Sequence, residues 1–89
     1  MISYNLKSVE SRLDLRGLDA EEACYKTDKY LEDAYRANLG EVTIVHGKGT
    51  GILRKAINDM LKRNPHVKSY RLGVYGEGGD GVTIAVLKP

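Results

Sequence analysis

The sequence predicts an α/β chain folded as an α+β two-layer sandwich, in the element order βαβαββ. It places a four-stranded mixed sheet beneath two helices that share one face. Three observations carry this. Two extended stretches each lead through a Gly-containing turn into a segment of helical periodicity. Two more extended stretches then close the chain with no helix between them. Two helices are also too few to cover both faces of four strands, so they are placed together on one.

The elements follow in order. Residues 1–11 are polar and aperiodic, and are read as an N-terminal extension or linker to a domain spanning residues 12–89. Arg12-Leu13-Asp14-Leu15-Arg16 alternates charged and apolar residues, the mark of a half-buried strand, until Gly17 breaks it. Leu13 and Leu15 then face the helices, and Asp14 and Arg16 face outward. Asp19 followed by Glu22 resembles a capping box. Ala20, Ala23, Cys24, Thr27, Leu31, Ala34 and Asn38 recur at helical spacing, and Gly40 supplies a stop. Tyr25, Tyr30 and Tyr35 on this helix are read as flanking the core. Val42-Thr43-Ile44-Val45-His46 is β-branched and reads as the second strand. A second helix covers Ile52 to Arg63 and ends at Asn64-Pro65, because the residue before proline is pushed out of helical geometry. Val67 to Val74 and Val82 to Leu87 are the last two strands, joined by the Gly-rich stretch Gly76 to Gly81, read as a flexible loop. Helical crossovers let the first three strands run parallel, and the short last connection suits an antiparallel return. The face without helices becomes a candidate contact surface, since an open face is unusual for a mostly parallel sheet.

Composition bounds the partners. The chain is 42% apolar and 29% charged with a net charge of +2, which is ordinary for a globular domain and only mildly suggestive of a nucleic-acid partner. Its single cysteine, Cys24, excludes an internal disulfide and a Cys-based zinc cluster. No apolar run approaches the roughly 20 residues that span a bilayer, and no signal-peptide pattern opens the sequence. A cytoplasmic location without a membrane partner is expected.

Ligands of open α/β sheets gather beyond the carboxyl ends of the strands. Asp14 and Arg16 end the first strand there, and His46 with the glycine segment ends the second. In Gly47-Lys48-Gly49-Thr50-Gly51 the glycines let backbone approach an anion, the following helix offers unpaired N–H groups, and Lys48 adds a charge. The order of a Walker A loop is missing. A tight strand-to-helix turn with Thr50 as N-cap explains the same residues equally well. Histidine suits proton transfer near neutral pH, yet His46 also fits a structural role. Asp14 and Arg16 can simply pair, and His66 is read as exposed. Glu77 and Asp80 are weak candidates for metal ligands.

Three segments together resemble the Smr (small MutS-related) domain found at the C-terminus of the second bacterial MutS paralogue. They are Leu13-Asp14-Leu15-Arg16-Gly17, His46-Gly47-Lys48-Gly49-Thr50-Gly51, and Gly76-Glu77-Gly78-Gly79-Asp80-Gly81-Val82-Thr83, and the likeness extends from about Leu13 to Lys88. The resemblance implies the fold of the C-terminal domain of translation initiation factor three, in agreement with the element order. It implies nucleic-acid binding to DNA or RNA and, in several members, endonuclease activity that nicks DNA or cuts RNA. It places catalytic roles on Asp14, Arg16 and His46, and nucleic-acid contacts on Gly47, Lys48, Gly49, Thr50 and Gly51. The implied partners are a nucleic acid, the ribosome, and the N-terminal ATPase domains of a longer MutS-type parent. No metal ligand set is assigned, and a divalent cation stays open as a cofactor.

Chemistry separates the substrates. Nicking DNA needs an activated water, for which a carboxylate cluster is wanting. RNA carries its own nucleophile, so an imidazole and a few cations would suffice. Three readings stay open: a nuclease, a non-catalytic module that docks on nucleic acid or the ribosome, and a protein-interaction domain using the open sheet face.

Overall fold

The computed structural model describes residues 9–89; most of the N-terminal extension, residues 1–8, lies outside the described residues. Strand β1 (Arg12–Asp14) pairs in parallel with β2 (Glu41–Val45), Leu13 opposite Ile44 and Asp14 opposite Val45. Helix α1 (Ala20–Arg36) joins them, and α2 (Ile52–Arg63) leads from β2 to β3 (Val67–Leu72). Strand β4 (Val82–Leu87) then returns between β2 and β3, antiparallel to both, in the sheet order β1-β2-β4-β3. The first three strands therefore share one direction and the fourth opposes them, as the connection lengths imply. Since β4 separates β2 from β3, only the β1–β2 ladder is parallel. A helix-free face is ordinary for such a sheet and does not in itself mark a contact surface.

The core lies between the helices and the other face. Leu15, Val42, Ile44, Ala85 and Leu87 of the sheet side meet Ala23, Leu31 and Ala34 of α1 and Ile57 and Leu61 of α2, all buried. Period-2 alternation separates this set from Val45, Val82 and Ile84, which form a small buried cluster on the helix-free face. The centre of that face is thus already withdrawn from solvent. Asp14 stands opposite Val45 and Arg71 opposite Ile84, so charged side chains flank it.

Helix α1 begins where Asp19 Oδ1 accepts the Glu22 N–H at 2.8 Å. It stops earlier than Gly40. Asn38 adopts φ +62°, its N–H reaches Tyr35 O at 3.0 Å, and the Leu39 N–H reaches Ala34 O at 3.1 Å. That is a Schellman motif with asparagine in the left-handed position, and Leu39 packs back on the core. Asn38 is accordingly exposed rather than part of the buried stripe. Tyr25 is exposed too, whereas Tyr30 packs against the core and donates to Glu10 O, and Tyr35 stacks on a half-buried His66 at 4.2 Å.

Candidate nucleic-acid interface

The carboxyl ends of β1 and β2 and the amino end of β4 meet at one edge of the sheet. Asp14 and Arg16 stand there as a single unit. Asp14 Oδ1 accepts from the Arg16 backbone N–H and from Nε, both at 3.0 Å, and Oδ2 accepts from Nη2 at 2.7 Å. Hydrogen bonds from Arg16 lower the Asp14 carboxyl to about 2 and raise the guanidinium in turn. Asp14 is therefore an ionised acceptor whose oxygens are already engaged. Arg16 keeps Nη1 and one Nη2 hydrogen without a protein partner among the described residues. Its stem lies over Gly47, where an added Cβ would come within 3.4 Å of Arg16 Cγ.

His46 follows Val45, so the pleat turns its ring toward the helices, away from Asp14. Only 5% of the residue is exposed. Nδ1 lies 3.0 Å from the Gly47 carbonyl and Nε2 lies 2.8 Å from Thr83 Oγ1. Asn58 of α2 donates to the same hydroxyl at 3.1 Å and to Arg54 O at 2.7 Å. A carbonyl only accepts, which assigns the proton to Nδ1. In the neutral ring Nε2 accepts from the Thr83 hydroxyl, whose oxygen accepts from Asn58. The ring holds the start of the glycine segment against β4 and α2, and both of its nitrogens are in use.

The two Gly-rich segments, separate in sequence, are tied together. The N–H groups of His46 and Gly47 both donate to Gly81 O, at 3.1 and 2.9 Å. This brings Asp80 near two cations: Lys48 Nζ and Arg54 Nη1 each lie 3.8 Å from its carboxylate. Gly51, at φ +87°, is the N-cap of α2, a left-handed position suited to glycine. Thr50 is not the N-cap residue; its hydroxyl only meets the Ile52 N–H at 3.4 Å. The first turn of α2 holds no acid and does hold Arg54. A cavity of about 410 Å³ opens between the starts of α1 and α2, lined among others by Leu18, Asp19, Lys48, Thr50, Leu53 and Arg54.

The sequence-predicted residues thus fall into groups. Asp14 and Arg16 come together, with Arg16 over Gly47. Lys48, Gly49 and Thr50 are exposed along the cavity, which neither Asp14 nor Arg16 lines, and His46 is buried. Arg54 was missed, although a cation in the first helical turn opposes the helix dipole and so hints at an anion. Asp19 was read only as a cap, yet it also walls the cavity. Glu77 is bound by Arg71 at 2.8 and 2.9 Å and by the Val74 N–H at 2.9 Å, and Arg71 chiefly lowers its carboxyl to about 2.

A family profile described as the Smr domain matches residues 13–88. The chain belongs to the Smr domain family. This Smr domain is 83% identical, over 87 residues, to the "Endonuclease MutS2" of Clostridium beijerinckii, and 76% identical to that of Clostridium botulinum strain Eklund 17B. In each case the match covers 98% of this chain but 11% of the relative, so the chain corresponds to a small part of those longer proteins. The crystal structure of the Smr domain of Thermus thermophilus MutS2 superposes with a TM-score of 0.87 at 44% identity, covering 90% of this chain and all of that one. YdaL, a stand-alone small MutS-related protein from Escherichia coli, superposes at 0.84 with 25% identity, covering 89% of this chain and 65% of YdaL. The mixed four-stranded sheet with two helices is the fold of these Smr structures. No described helix is long and apolar enough to cross a membrane.

The donor set does not fit a divalent cation. Among the described residues no three His, Cys, Asp or Glu side chains converge. Asp14 and Glu77 are engaged by arginines, and Asp80 is flanked by two cations. A hard cation needs several free oxygens in one place.

Proposed function

We propose that this Smr domain binds the phosphate backbone of DNA or RNA along the edge formed by Arg16, Gly47, Lys48, Gly49, Thr50, Gly51 and Arg54. One observation carries the reading: a helix N-terminus without an acid opens into a cavity that presents Lys48 and Arg54, beside an arginine already held in place by Asp14. Asp80 offsets part of this charge from 3.8 Å to Lys48 and Arg54, and Asp19 does so from the cavity wall. A phosphate would compete with the long Asp80 contacts, and it is the anion that arginine forks and helix N-termini hold best.

Within that reading, Asp14 and Arg16 act together at the scissile phosphate. Asp14 orients the guanidinium, and Arg16 with Lys48 offsets the charge that builds in the transition state. His46 serves the site as a positioning residue for the Gly47 turn. The relatives' name "Endonuclease MutS2" favours cleavage as the outcome in a longer MutS-type parent. RNA is the substrate cleavage asks least of, because its own 2′-hydroxyl is the nucleophile. With Asp14 and His46 engaged, solvent water takes the proton from that hydroxyl and returns one to the 5′-oxygen that leaves. The alternative is a module that docks on nucleic acid or the ribosome without cutting it. It draws support from the engaged state of Asp14 and His46.

The test is fluorescence anisotropy and gel analysis of the purified chain on labelled single-stranded, hairpin and duplex DNA and RNA, across salt. Arg16→Ala and Lys48→Ala should each weaken binding by roughly 5-fold and lower the salt slope by about one. Unchanged affinity and slope in both variants would overturn the phosphate edge. Product formed by wild type and abolished in Asp14→Ala supports cleavage, and equal product from both defeats it.

A further inference from the structure

Tyr75 is the feature that phosphate binding leaves unexplained. Its side chain is fully exposed, and the neighbouring Val74 is 58% exposed. Tyr75 sits on a turn held from several sides. The Val74 carbonyl accepts from the Glu77 N–H at 2.9 Å and the Gly79 N–H at 3.1 Å. The Val74 N–H donates to Glu77 Oε1 at 2.9 Å, and Arg71 grips both oxygens of that carboxylate. Gly73 donates to Val82 O at 3.0 Å and leaves no space for a side chain, since a Cβ there would lie 2.5 Å from Val82 Cγ2. The reading of Gly76 to Gly81 as a flexible loop and of Gly73-Val74 as the end of the third strand is corrected accordingly. Strand β3 stops at Leu72, and Gly73 to Gly81 form a hydrogen-bonded turn and a short 3-10 helix.

The turn is also continuous with the cationic edge. Gly79, which bonds the Val74 carbonyl, lies beside Lys48, its notional Cβ 3.8 Å from Nζ. The aromatic side chain and the ammonium are therefore carried on two different segments, the turn before β4 and the glycine segment after β2, which meet at Gly79 and are tied by the Gly81 carbonyl. Stacking platforms beside cationic grooves are how proteins hold unpaired bases, since every base has a π-face and duplex stacking hides it. Leu72 and Val74 beside Tyr75 are also partly exposed, so a protein partner is the competing occupant. The cationic segment that meets the turn and the Gly76-Glu77-Gly78 run after Tyr75 favour a nucleic acid.

We propose that Tyr75 is a stacking platform for an unpaired base, so that this edge selects single-stranded or looped nucleic acid over perfectly paired duplex. The inference rests on the phosphate-binding reading and adds its substrate class. Because the chain contains no tryptophan, Tyr75→Trp installs a single fluorophore at the platform. Labelled single-stranded RNA and DNA oligonucleotides and a blunt duplex serve as probes. Tyr75→Ala should lower single-strand affinity about ten-fold while leaving duplex affinity and the melting temperature unchanged. Tyr75→Trp should keep the affinity, and its emission should be quenched by single strands but not by duplex. Tyr25→Ala, on the exposed face of α1, should match wild type. Wild-type single-strand affinity in Tyr75→Ala, or unquenched emission from saturated Tyr75→Trp, overturns the platform while leaving phosphate binding intact. Failure of wild type to bind any probe overturns both.

Discussion

Asp14 and Arg16 make the most consequential contact between single residues at the edge. The Asp14 carboxyl is held at about 2 against an ordinary 3.8. Because the folded value lies below the unfolded one, the pair's contribution is complete above pH 3.8 and is lost as pH falls through about 2. An NMR titration of the Asp14 carboxyl carbon should therefore show its midpoint near 2, and a midpoint near 3.8 would mean the pair is not formed in solution. Such an acid is a poor proton acceptor at neutral pH and a good holder of a guanidinium. The spacing of Asp14 and Arg16 on one strand face was legible in the sequence. That His46 points to the opposite face was not. The period-2 pleat gives the direction only once the strand's last residue is known, and Thr83, its partner at 2.8 Å, lies 37 residues away. Arg54 was hidden for a related reason: its helical position was clear, but its meeting with Asp80 depends on a turn from the far end of the chain.

Helix starts shape the cavity, and the two starts differ. Helix α1 is capped by Asp19, and α2 begins at a left-handed glycine with no side-chain cap. Asp19→Ala should cost about 1 kcal/mol of stability, the usual loss when an aspartate cap is removed. The same change removes a negative charge from the cavity wall, so nucleic-acid affinity should hold or rise as the protein becomes less stable. Denaturant melts and anisotropy on the same preparation check the two directions, and a parallel fall in both would show that Asp19 supports binding. Both helices were legible from periodicity, and α2 was placed at its observed bounds because Gly51 and Asn64-Pro65 punctuate it. The stop of α1 was misplaced because Gly40 is the obvious breaker, while Asn38 tolerates the left-handed conformation through its short polar side chain. The loop before β4 was misread because glycine content signals freedom, although here Gly78 and Gly79 supply the positive φ that a hydrogen-bonded turn requires.

Across the whole molecule, the sheet order is what turns separate motifs into one surface. Parallel pairing of β1 and β2 aligns Asp14, Arg16 and the glycine segment, and insertion of β4 beside β2 delivers Gly76 to Gly81 to the same edge. The element order and the direction of each strand followed from connection lengths. The position of β4 between β2 and β3 did not, since an antiparallel strand can join either edge or an interior gap by the same loop. The helix-free face has Val45, Val82 and Ile84 already below 5% exposure at its centre, and the proposed binding surface is the strand-end edge. Amide chemical-shift mapping of the isotope-labelled chain, titrated with a single-stranded oligonucleotide, tests this most directly. The largest perturbations should fall on Arg16, on Gly47 through Arg54, and on the turn from Val74 to Gly81. Perturbations concentrated on the outer face of α1, around Tyr25, Lys29 and Arg36, with the strand-end edge silent, would contradict it.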